Sequence, residues 1–271
     1  MHHSEQSSII GTVPAPAFLR LPDRSGKPRR RGRSWVIDGG LPLPDVRAIL
    51  ESAAAVIDGW KLGWGTAYLD LALDAKLALL RRHEVIPCPG GTLLEVAAYQ
   101  GRAEECLEWL SACGFAQVEV SDGLGLLGET AKATLIRRAA ASFTVVSEVG
   151  MKEPASVLTP ATWVQLARAD LDAGAAAVVA EGRESGTVGL YNADGSVRTD
   201  VVDALLDHVG AERLLFEAPR KDQQAWLIRH VGPEVNLANV TPREALGLEA
   251  LRLGLRADTT LALHPPTGAT T

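Results

Sequence analysis

Short apolar runs alternate along this chain with longer stretches in which apolar positions recur every three to four residues. The first pattern is that of buried strands and the second that of amphipathic helices. Strands are predicted at 35–38, 56–62, 85–89, 117–120, 144–147, 176–181, 214–217 and 234–238. Helices are predicted over 44–55, 70–82, 102–112, 130–140, 160–173, 199–209, 221–230 and 242–254, with Gly114 and Gly174 placed to stop two of them. Eight strands alternating with eight helices predict parallel βα units. An open doubly wound sheet is the structural alternative, but the strand count favours a closed (β/α)8 TIM-type barrel, which needs about 250 residues.

Several strands end in a carboxylate: Glu119 and Asp122, Glu148, Glu181 and Glu217, with Asp38 after the first. In a parallel βα barrel those ends converge on one face that water and substrate reach. Each acid alone could equally be an ion-pair partner. Six on one rim call for a divalent cation, basic residues, or both, because unpaired buried carboxylates are costly. Lys61, Lys152, Arg183, Arg220 and Lys221 follow strand ends and supply the positive charge. The turns Gly63-Trp64-Gly65-Thr66 and Gly90-Gly91-Thr92 are glycine-rich, so backbone N–H groups can approach an anion there. No histidine falls at a strand end, which disfavours a zinc site or a histidine base. Neither a Ser–His–Asp order nor a nucleotide-hydrolase phosphate loop is present.

Charge divides the chain. Residues 1–33 hold seven basic and two acidic residues, net +5, which leaves −11 for the rest of a chain whose total is −6. With its serines and prolines this segment reads as a flexible basic arm. The acidic body argues against nucleic-acid binding. No apolar run reaches the roughly 18–20 residues of a membrane span. Cys88, Cys106 and Cys113 form no CxxC pair and are odd in number, which fits reduced thiols in a cytoplasm. The expected organisation is an arm at 1–33, a barrel at 34–258 and a tail at 259–271. Oligomeric state is not legible, although tryptophans such as Trp64 and Trp226 could anchor a homo-oligomer.

Seven ordered motifs at predicted strand ends add a resemblance. They are Lys61-Leu62-Gly63-Trp64-Gly65-Thr66, Pro89-Gly90-Gly91-Thr92-Leu93-Leu94-Glu95, Ser121-Asp122-Gly123, Ser147-Glu148-Val149-Gly150, Glu181-Gly182-Arg183-Glu184-Ser185-Gly186, Phe216-Glu217-Ala218-Pro219 and Val235-Asn236-Leu237-Ala238-Asn239. Together they resemble the phosphosulfolactate synthase family over roughly residues 34–258.

The resemblance implies a (β/α)8 enzyme that adds sulfite to phosphoenolpyruvate with Mg²⁺, giving (2R)-phospho-3-sulfolactate. It implies Lys152 as general acid, with Lys61 and Arg183 also catalytic. Glu148, Glu181 and Glu217 become the metal-side candidates, and Gly90, Gly91, Thr92, Arg220 and Asn239 the substrate-binding ones. The chain departs from the family pattern at Gly39, where the family carries a lysine, and in the apolar stretch 124–127, which is polar in the family. Those departures keep two alternatives in view: a related addition or lyase reaction with another nucleophile, and a non-catalytic binding barrel.

Overall fold

The computed structural model describes residues 18–150, 158–183 and 185–264. Eight parallel strands form one sheet: β1 Ser34–Asp38, β2 Gly59–Leu62, β3 Ile86–Pro89, β4 Gln117–Val120, β5 Thr144–Val149, β6 Ala177–Ala180, β7 Leu214–Glu217 and β8 Leu237–Val240. Their order is β3-β2-β1-β8-β7-β6-β5-β4, so the sheet curls until β3 lies beside β4. This is the expected barrel, with one seam that lacks a hydrogen-bonded ladder.

Two prolines explain the seam. Ile86 N and Gly90 N donate to Asp58 O and Leu62 O beside and within β2, at 3.0 and 2.8 Å. Successive residues of a parallel strand face alternate neighbours, so Pro87 and Pro89 face β4. Neither has an N–H to give. A side chain bridges the gap instead: Gly91 N donates to Glu119 Oε1 at 2.9 Å.

Inside the ring, Trp35, Cys88, Val146, Ala177, Val179, Leu215 and Ala238 form an apolar floor. The Trp35 indole fits because Gly59 has no Cβ, which would overlap its ring. Outward-facing strand residues such as Val36, Val118, Val178 and Phe216 pack under the helices as the larger core. Strand side chains repeat every two residues. Glu148, Glu181 and Glu217 each stand two residues beyond a floor residue, and therefore above it.

The structure departs from the sequence reading at several elements. The last strand begins at Leu237, because Asn236 and Val235 spend their polar groups elsewhere. Asn236 Nδ2 donates to Ala211 O and Leu214 O, both at 2.9 Å, and Val235 O accepts from Arg252. Helices at Thr66–Leu69, Gly91–Tyr99 and Ala257–Leu263 were not expected, and the last crosses the boundary drawn at 258.

Of the segment read as a flexible arm, residues 1–17 lie outside the described residues, and the part from Arg24 to Arg33 lies against the barrel. Arg24 pairs with Glu249 at 2.9 Å and also with Glu234, while Arg29 reaches Asp58 at 3.0 Å, all against the N-terminal face of the barrel. Among the described residues no helix is long and apolar enough to cross a membrane.

Candidate active site

At the C-terminal ends of the strands lies a cavity of about 430 Å³. Lys61 rises into it from β2 and is 3% exposed. Its Nζ stands 2.6 Å from Glu119 Oε2, 3.6 Å from Glu217 Oε1 and 3.9 Å from Glu148 Oε2. Burial alone would lower its pKa. Glu119, then Glu217 and Glu148, outweigh that and hold it above the ordinary lysine range. Lys61 is therefore a fixed positive charge and a poor proton donor.

The glutamates outnumber it. Burial, followed by Glu217, Glu119 and Glu181, pushes the Glu148 carboxyl well above the usual range, against the pull of Lys61. Four carboxyl groups, three of them buried, face one buried ammonium, with Arg183 at the rim, so acids outnumber cations in the cavity.

Glu217 is already saturated. Its Oε2 accepts from Gly182 N at 2.9 Å and Arg183 N at 3.1 Å, and its Oε1 accepts from Asn239 Nδ2. Its own carbonyl accepts the buried Tyr191 hydroxyl. This carboxylate anchors the loop after β6 and the end of β8.

Trp64, Arg183 and Asn239 line the cavity, and all three hold left-handed backbone with φ of 51°, 51° and 56°. Non-glycine residues in that region cost about 1–3 kcal/mol each and collect at functional sites. The Glu217 bonds to Arg183 N and Asn239 Nδ2 help to hold two of them. Arg183 Nε is 3.7 Å from Glu181 Oε1, and its side chain is 43% exposed at the rim.

On the opposite wall, Gly90, Gly91 and Thr92 line the cavity at the start of the helix Gly91–Tyr99. A Cβ at Gly91 would overlap Ser121 Oγ, so glycine lets the helix start press against the end of β4. Glu95, one turn on and 2% exposed, accepts from Ser121 Oγ, Gly123 N and Leu124 N. It ties down the apolar loop after β4, whose Leu124 also faces the cavity. Gly39 lies under the Trp64 ring, which a Cβ at that position would overlap.

The site thus brings together Lys61, Gly90, Gly91, Thr92, Glu148, Glu181, Arg183, Glu217 and Asn239. Arg220 is not among the lining residues. It pairs with Asp222 at 2.8 Å and is 41% exposed. Lys152 lies outside the described residues. Two other strand-end acids are structural: Asp38 accepts from Gly40 N, Leu41 N and Trp60 Nε1, and Asp122 from Leu126 N, Leu127 N and Gly128 N.

Sequence reasoning passed over Glu95, Ser121 and Trp64 as site residues. Glu119 was counted only as a strand-end acid. The sequence signal for Glu119 was its offset of two from Gln117, which turns it inward.

Among the described residues no three His, Cys, Asp or Glu side chains are arranged as a metal-ligand set. The donor chemistry nevertheless suits a hard divalent cation, since Mg²⁺ keeps several waters and needs only one or two carboxylates. Glu148 and Glu181, on neighbouring strands and both facing the cavity, meet that need.

The sequence model of the (2R)-phospho-3-sulfolactate synthase (ComA) family matches residues 22–258. The chain is 40% identical over 244 residues to the phosphosulfolactate synthase of Methanothermobacter thermautotrophicus, covering 88% of this chain and 95% of that one. It is 39% identical over 244 residues to the phosphosulfolactate synthase of Bacillus subtilis, covering 89% and 97%. Among solved structures, 3-hexulose-6-phosphate synthase from Salmonella typhimurium superposes with a TM-score of 0.53 at 15% identity, over 84% of this chain and 97% of that one. Thiamine phosphate pyrophosphorylase from Pyrococcus furiosus does so with a TM-score of 0.51 at 14% identity, over 86% and 98%. These two likenesses concern the barrel alone.

Proposed function

The chain belongs to the (2R)-phospho-3-sulfolactate synthase family, and on that premise we propose that it joins sulfite to phosphoenolpyruvate in the cavity above, with Mg²⁺ as resident cation. It is an enzyme, and its product is (2R)-phospho-3-sulfolactate. The non-catalytic reading falls away.

The reaction is a conjugate addition. The sulfur lone pair attacks the methylene carbon, the π electrons move through C2 into the carboxylate, and a proton then closes C2. Both reactants are anions, whereas the cavity presents four glutamates to one buried lysine and the rim arginine Arg183. That mismatch of sign carries the proposal of a divalent cation, held by Glu148 and Glu181. Bound Mg²⁺ would supply charge stabilisation to the substrate carboxylate as it gains electron density.

The protein groups divide the remaining work. Lys61 keeps its proton and offsets the buried glutamates. Arg183 at the rim offers a guanidinium fork to phosphate or sulfite. Thr92 and the turn Gly90–Gly91 face the same space. Glu217 and Asn239 set the loop that carries Arg183.

The proton at C2 comes from Lys152. Gly150, two residues earlier, lies at the site and packs so tightly on Glu181 that a Cβ would overlap it. The free cysteines Cys88, Cys106 and Cys113 suit a reducing cytoplasm.

Lys152→Ala is expected to lower turnover by about 10²–10⁴-fold while phosphoenolpyruvate still binds. An undiminished rate would remove Lys152 from the mechanism. Mg²⁺ should raise the melting temperature of the wild type, as any ligand of the folded state does. In Glu181→Gln that rise should shrink, and an equal rise would take Glu181 out of the metal site.

A further inference from the structure

The barrel holds a second cavity at its other end, on the N-terminal face beside the β3–β4 seam, with a volume of about 540 Å³. One wall is apolar, built by Trp35, Ile86 and Pro87. Four cations face it: Lys27, Arg29, Arg33 and Arg81, against the acids Asp58 and Glu84.

Most of the hydrogen bonds these cations make go to neutral carbonyls, which orient the side chains without cancelling their charge. Lys27 Nζ donates to Ala54 O at 2.7 Å and Glu84 O at 3.1 Å. Arg81 donates to Gly114 O at 2.7 Å, and Arg33 Nη2 to Glu212 O at 2.8 Å. Arg29 alone of the four has a carboxylate partner among the described residues, Asp58 at 3.0 Å. Asp58 is also engaged by Ser34 N at 2.8 Å. Among the lining residues the four cations outnumber the two acids.

Two buried donors are left over from this arrangement. Arg33 Nε has no hydrogen-bond partner, and Gln117 Nε2 has only the Cys88 sulfur. Gln117 is 6% exposed and lies beside the Cys88 thiol, a weak acceptor. Both residues line the cavity. A buried donor without an acceptor costs about 1–3 kcal/mol. One such donor and one held only by a thiol, both lining a net-positive cavity, ask for an acceptor that carries charge.

We propose that this cavity is an anion-binding site, separate from the active site, that takes a small phosphate- or sulfonate-type oxyanion. Arg33 Nε and Gln117 Nε2 are its direct donors, and the Trp35–Pro87 wall accommodates a short apolar portion of the ligand. The seam makes room for it, because the two prolines that break the β3–β4 ladder leave β3 and Gln117 of β4 unjoined there.

The test is calorimetric titration of full-length enzyme with inorganic phosphate, for wild type, Arg33→Gln, Gln117→Leu and Arg183→Gln. The inference predicts a binding event that survives Arg183→Gln at the active-site rim. Arg33→Gln should weaken it by about tenfold or more, as expected for a charge-assisted hydrogen bond. Gln117→Leu should weaken it less, and it carries the test alone should Arg33→Gln fail to fold. Turnover of Arg33→Gln in phosphate-free buffer should match wild type. Methanesulfonate in place of phosphate separates a need for a dianion from a need for tetrahedral shape. No binding at millimolar phosphate would overturn the inference. So would loss of all binding in Arg183→Gln, or binding unaltered in every folded cavity variant.

Discussion

Lys61 carries a charge that three glutamates share, and this makes it the most sensitive residue of the active site. Removing one partner of a buried ionic cluster leaves the others uncompensated, at about 3–5 kcal/mol. Lys61→Met should therefore lose stability on that scale in urea unfolding, and lose turnover as well. A stability within about 0.5 kcal/mol of wild type would show that the glutamates do not depend on it.

Glu148 gives a prediction of opposite sign. Its carboxyl binds a proton more tightly in the folded protein than in the unfolded chain, where the value is near 4.5. Stability held at low pH is thus lost as pH rises from that value toward the raised one. Lys61, raised above its ordinary value near 10.5, loses its contribution only at still higher pH. In metal-free enzyme, urea unfolding from about pH 5 to 8 should show wild-type stability declining and Glu148→Gln nearly flat by comparison. Parallel curves would contradict the role given to burial and the neighbouring glutamates.

At the scale of elements, the glycine-rich turn after β3 is where backbone and site depend on each other. Alanine is a better helix former than glycine by about 1 kcal/mol. A Cβ at Gly91 would nevertheless overlap Ser121 Oγ, and overpacking costs about 1–3 kcal/mol. The clash should win. Gly91→Ala is expected to lower the melting temperature and to raise KM, because Ser121 and the Glu95-bound loop must shift. An unchanged KM would separate this turn from substrate binding.

Strands were legible because their runs are apolar on both faces, as parallel buried strands are. The glutamates Glu148, Glu181 and Glu217 were legible because each is offset by two from an inward apolar residue. What local pattern could not reveal was which acids were already satisfied. Asp38 and Asp122 spend their oxygens on nearby backbone N–H groups, and Glu217 on residues from two other loops. Those partners exist only once the chain is folded.

For the whole molecule, the same difficulty explains the basic arm. Seven basic residues among prolines look like a solvated tail. Their acidic partners Asp58, Glu234 and Glu249 are distant in sequence and meet them only at the closed end of the barrel. Arg24 is 7% exposed in its side chain, and its partner Glu249 is 6% exposed. Arg24→Ala should therefore cost about 3–5 kcal/mol. The exposed pair Arg31–Glu212 should cost under about 1 kcal/mol on Arg31→Ala. Equal losses in denaturant unfolding would mean that the arm is not part of the barrel's closure.

The family, the barrel and the glutamate-lined mouth converge on one reaction, which phosphorus NMR tests most directly. Purified enzyme would be mixed with phosphoenolpyruvate and Mg²⁺, with and without sulfite, and with a chelator control. The account predicts a new phosphate-ester resonance that appears only when sulfite and metal are both present, as the phosphoenolpyruvate signal declines. A phosphoenolpyruvate signal unchanged by sulfite in metal-replete enzyme would contradict it.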